Sequence, residues 1–73
     1  MNPDLEAAAR LYDEAAEELD RAAAHCRVSA RHFRGGVVPR GAAHAWAALG
    51  HIRRAEARLD EQAQTHAERS TID

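Results

Sequence analysis

Lysine is missing from this chain, and cysteine, proline, glycine and the aromatics are scarce. Each shortage closes something off. Cys26 is the sole cysteine, so no intrachain disulfide and no paired-cysteine metal site can form, and a reducing compartment suits the chain. Tyr12, Phe33 and Trp46 are too few aromatics for a base-stacking platform, and a net charge of −2 gives no overall attraction to nucleic acid. No apolar run approaches the roughly eighteen residues that a membrane span needs. The first residues include Asp4 and Glu6 where a secretory leader is basic, and no apolar stretch follows. A soluble, cytoplasmic protein is therefore expected, with any export through a specialised secretion system lacking a recognisable signal.

Catalytic and metal patterns are missing as well. There is no His-Glu-x-x-His, and no glutamate stands three residues before any of the five histidines, as carboxylate metal sites in helical bundles require. The sequence offers no catalytic residue, no metal ligand set and no cofactor, and the chain is read as not an enzyme.

What is present is alanine, arginine and acid. Alanine makes up 18 of the 33 apolar residues, so the core is thin. Ten arginines with no lysine, beside that alanine excess, is the bias of a GC-rich genome such as an actinobacterial one. Seventy-three residues form one domain, and so short a chain gains little from its own core, which makes a stabilising partner expected.

The few breakers sit at informative places. Asn2 suits a cap, Pro3 a first helical position, and Asp4 and Glu6 the positive end of a helix dipole. No glycine or proline then intervenes until Gly35-Gly36, and Pro39 opens a second segment. The expected elements are helix 1 over about 3–34, a turn at 35–38 and helix 2 over about 39–70. Gly41 and Gly50 are expected to weaken helix 2 by up to about 1 kcal/mol each.

Periodicity supports this reading. Leu5, Tyr12, Leu19, Cys26 and Phe33 fall seven apart, with Ala8, Ala15 and Ala22 in the complementary heptad position. On helix 2, Ala45, Ile52, Leu59 and His66 repeat the spacing, with Leu49 alongside. The expected fold is all-α: an antiparallel two-helix hairpin that dimerises into a four-helix bundle. A turn centred near Val37 pairs residues whose numbers add up to about 74. Leu19 then faces Ala55, Cys26 faces Ala48, Ile52 faces Ala22 and Leu59 faces Ala15, each large side chain meeting a small one in the seam. Cys26 is expected to behave as a buried small hydrophobe and Tyr12 as a core residue with its hydroxyl in water.

Charge is segregated. Residues 4–20 carry seven acids and one arginine, residues 21–58 eight arginines and one acid, and residues 59–73 four acids and one arginine. A hairpin is then acidic at its open end and basic at its turn, and such a rod favours an antiparallel neighbour. Arg27, Arg31, Arg34, Arg40, Arg53 and Arg54 form a candidate anion-binding group at the turn end. His25, His32, His44 and His51 lie in the same half and are expected at the surface. Trp46 lies beside the stripe, where an exposed tryptophan suits an interface anchor or else covers the end of the hairpin against Phe33 and Val38.

The candidate interface is thus Leu5, Tyr12, Leu19, Cys26, Phe33, Trp46, Leu49, Ile52 and Leu59. The expected function is a non-enzymatic protein–protein interaction module, paired with itself or with a related helical hairpin. The alternative is a small nucleic-acid-associated or regulatory adaptor using the arginine-rich end.

Phe33-Arg34-Gly35, a short turn and an alanine-rich second helix resemble the Trp-x-Gly family of small type VII secretion hairpins. Phe33 stands in place of the family's tryptophan. Ala16, four residues after the only tyrosine, replaces the acid of its export motif. The resemblance implies an antiparallel four-helix homodimer or heterodimer.

Overall fold

The computed structural model describes residues 2–72, and within them the chain is two helices of equal length, α1 over Pro3–Arg34 and α2 over Val38–Arg69. The helices pack against each other as an antiparallel hairpin. The Asn2 side chain accepts a 2.8 Å hydrogen bond from the Asp4 backbone N–H, and Pro3 occupies the first position, where its missing N–H costs nothing.

The turn is closed by the backbone. Gly36 adopts φ 74°, a left-handed conformation that a Cβ penalises. The Gly36 N–H donates to the Phe33 carbonyl at 3.0 Å and the Val37 N–H to the His32 carbonyl at 2.8 Å, the paired bonds of a Schellman cap. α2 then begins at Val38 with Pro39 second rather than first, and Val37 gives its N-terminus no side-chain cap.

Each helix carries three heptad lines side by side. On α1 they are the large line Tyr12, Leu19, Cys26, Phe33; the small line Ala15, Ala22, Ser29; and the polar line Glu18, His25, His32. On α2 the corresponding lines are Ala45, Ile52, Leu59; Gly41, Ala48, Ala55; and His44, His51, Arg58. Neighbouring lines are three or four residues apart, which is about 40–60° around a helix.

The small lines form the seam. Ala15, Ala22, Ala48 and Ala55 are the buried apolar residues, joined by Ser29 and Gly41. The Ser29 hydroxyl donates to the Gly41 carbonyl at 2.7 Å, which sets Ala22 level with Ala48 and Ala15 with Ala55. Small residue meets small residue at this level, so the expected interleaving of large with small across the seam is not what forms. Leu19, Phe33 and Leu59 remain 43–48% exposed, Tyr12 and Leu5 more so, and Ile52 is half-buried. Cys26 is exposed rather than buried.

Two packed helices have only one mutual line of contact, and the lines without large side chains allow the closest approach. The large side chains are displaced to one side of it. The hairpin is a plank with principal extents of 56 × 28 × 13 Å. Its open end is tied by Arg69 to Asp4 at 3.2 Å.

Gly41 has a use that helix propensity does not suggest. A Cβ there would stand 2.7 Å from Cε2 of Phe33, so its absence lets the aromatic ring lie against α2 beside the turn.

Candidate protein interaction face

The two large lines emerge on the same broad side of the plank, because the helices are antiparallel and the lines flank the seam in the same sense. Cys26, Ala30 and Phe33 of α1 line one apolar groove with Ala45, Leu49 and Ile52 of α2. Phe33 and Leu49 continue into a second groove with Ala42 and Trp46. Towards the open end Tyr12 lines a third with Leu59, Ala63 and His66. Cys26, Phe33, Trp46, Leu49 and Ile52 are thus brought together near the turn, and Tyr12 with Leu59 near the open end. Leu5 and Leu19 lie on the same α1 line.

Trp46 is 73% exposed. It shares its groove with Phe33 but does not cover the end of the hairpin, and Val37 and Val38 are exposed too. The face as a whole presents side chains of the size that normally fills a core.

The polar lines sit on the other side of the seam and join the helices. Glu18 is only 5% exposed, and its carboxylate accepts from His51 Nδ1 at 2.8 Å and from Arg21 at 3.2 Å, with Arg54 Nε 3.4 Å away. The His51 hydrogen bond holds the Glu18 carboxyl below its ordinary pKa, against the desolvation that opposes it, and the positive charges of Arg54, His51 and Arg21 add to the effect. Arg58 Nε donates to Glu14 at 2.6 Å one turn further along.

Beyond Glu18 four imidazoles form a ladder across the helices. His32 stacks on His44 with ring centroids 5.5 Å apart, His44 tilts against His25 at 5.1 Å, and His25 stacks on His51 at 5.4 Å. The Nδ1 atoms of His25 and His44 are 2.9 Å apart, so one donates a proton to the other. These side chains are half-buried members of the hairpin's own packing, not the free surface histidines expected from the sequence. The available signal was their spacing, since Glu18-His25-His32 and His44-His51-Arg58 each step by seven beside an alanine line.

Among the described residues no three histidine, cysteine or carboxylate side chains converge to hold a metal ion. No helix of the described residues is long and apolar enough to cross a membrane. The six arginines of the candidate anion site are exposed but do not act as one group. Arg54 is drawn to Glu18 on the polar side, whereas Arg53 lines a groove with Leu59 and Ala63.

Comparison with known protein families, with curated proteins and with solved structures finds no match. The geometry of the two faces therefore carries the functional argument.

Proposed function

We propose that this chain is a non-enzymatic protein–protein interaction module, a helical hairpin that completes its core by laying its apolar face on another amphipathic helical hairpin. One observation carries the reading: the large apolar side chains, from Leu5 and Tyr12 to Phe33 and Trp46, stand exposed along one side of the plank. A continuous exposed apolar surface of this kind marks an interaction site. The polar side makes the division of labour plausible in physical terms. Ion pairs and imidazole contacts there are satisfied within the chain, leaving the opposite face for a partner. The Trp-x-Gly resemblance carried by Phe33-Arg34-Gly35 points the same way, towards a dimer of hairpins.

An anion-binding adaptor is the weaker reading, because Arg54 is already engaged by Glu18 and Arg53 lies elsewhere.

The test is the solution mass of the purified chain over a dilution series, with helicity followed by circular dichroism. The expected species is twice the 8.0 kDa chain, with helicity falling as it dissociates. Leu19→Glu, at an exposed position of the single hairpin, is expected to abolish the larger species. A fully helical monomer at every concentration would sink this reading.

A further inference from the structure

We infer that the four-imidazole ladder is a pH-sensitive latch, which helps hold the two helices together near neutral pH and releases them in mild acid. The inference stands apart from the interaction-module reading, since it concerns the polar side of the plank alone.

The contact at the centre of the ladder has room for one added proton. His25 and His44 meet through their Nδ1 atoms at 2.9 Å, and a bond between two ring nitrogens needs one to donate and the other to accept. An imidazolium carries N–H on both nitrogens and accepts nothing. The bond therefore survives protonation of one ring of the pair. With both rings protonated, two N–H groups point at each other across the same gap.

The outer rungs restrict the charge further. His32 stacks on His44 and His25 stacks on His51, with centroids 5.5 and 5.4 Å apart, so charging both rings of either stack sets two cations face to face. In the order His32, His44, His25, His51, no more than two rings can be charged without charging two neighbours. All four side chains are half-buried between the helices, which limits how far each ring can swing away from the next.

The surroundings do little to offset a third charge. On α1 the ladder is flanked by Glu18 and by Arg21, one turn before His25. On α2 it is flanked by Arg40, one turn before His44, and by Arg54 and Arg58 beyond His51. Arg58 is paired with Glu14. Glu18 already accepts from His51 and Arg21, with Arg54 close by, so it favours charge on His51 at the end of the ladder. A charged His51 in turn opposes charge on His25, stacked against it.

The unfolded chain has no such restriction, and its imidazoles all take protons as pH falls through the ordinary range near about 6.5. Below that range the unfolded chain holds more protons than the hairpin, so stability falls as pH falls. Each proton of difference raises the unfolding constant up to about tenfold per pH unit. Charging His51 beside Glu18 works the other way, which places the loss below about pH 6.5 rather than at neutrality.

The test is urea unfolding followed by circular dichroism, at one chain concentration, from about pH 7.5 to about pH 5.5. Wild type is compared with His25→Gln/His44→Gln, whose two amides can bond to each other at every pH. Between about pH 6.5 and 5.5 the wild-type unfolding constant is expected to rise at least about fivefold, and that of the variant less than about twofold. Ring-proton NMR of wild type gives a second reading that needs no variant to fold. In the intact hairpin the His25–His44 pair is expected to hold a single added proton at about pH 5.5.

A wild-type profile that is flat or rises in acid overturns the latch, and so does a variant that loses as much as wild type. An intact hairpin with both His25 and His44 charged would also overturn it, because the rings would then simply swing apart. None of these outcomes touches the reading of the apolar face.

Discussion

His51 Nδ1 donates to the Glu18 carboxylate across the hairpin, at 2.8 Å, in a layer between the Ala15–Ala55 and Ala22–Ala48 levels of the seam. A nearly buried carboxylate is thereby held ionised by a neighbour on the opposite helix. Because its pKa is lowered on folding, the ionised form stabilises the hairpin above the ordinary glutamate range near 4.3, and that contribution disappears as pH falls through the folded value. Glu18→Gln keeps an acceptor for His51 and removes only the charge. Thermal midpoints followed from pH 7 down to about pH 2.5 are expected to show the variant below wild type at neutral pH, with the gap closing in acid. A gap that does not change with pH would mean that the charge of Glu18 contributes nothing.

The two glycines of the turn are predicted to respond differently. Gly36 has φ 74°, so Gly36→Ala is expected to cost about 1–2 kcal/mol. Gly35 has φ −83°, and an added Cβ would meet only backbone oxygens at ordinary contact distances of 3.5 and 3.6 Å. Gly35→Ala is expected to be neutral, or stabilising by up to about 1 kcal/mol through the unfolded chain. Urea unfolding of the two variants separates the cases.

Helix propensity alone treats Gly41 and Gly50 alike, and the structure does not. A Cβ at Gly50 meets nothing within 4 Å, so Gly50→Ala is expected to gain up to about 1 kcal/mol. At Gly41 the Phe33 ring occupies the space, and Gly41→Ala is expected to lose about 1 kcal/mol despite the better propensity. Adding Phe33→Ala should remove most of the penalty of Gly41→Ala. A double-mutant cycle measures that coupling.

Much of this architecture is legible in the sequence, and the limits of legibility have a physical cause. Pro3, Gly35-Gly36 and the seven-residue spacing identify two helices and their turn without ambiguity, because backbone chemistry acts locally. Periodicity also isolates the lines of Leu19 and Ala22, but it does not say which of them faces the neighbouring helix. Hydrophobicity ranks leucine above alanine and so assigns Leu19 to the hairpin seam. Close approach of two helices favours Ala22, leaving Leu19 for a surface that a single hairpin cannot cover. Glu18 and His51 escape hydropathy altogether. Their place in the seam follows only once the register is known, and the Ser29–Gly41 bond puts that register about one turn from the one inferred from the loop.

That bond supplies a further prediction. Ser29 is buried, and Ser29→Ala removes its 2.7 Å hydrogen bond to the Gly41 carbonyl. The expected loss is about 1 kcal/mol in chemical denaturation. Ser29→Cys, which keeps the size but donates weakly, should fall between alanine and wild type.

The tie between Asp4 and Arg69 fixes both ends of the described chain at the same end of the plank. Anything joined to either terminus leaves from there, well away from the turn.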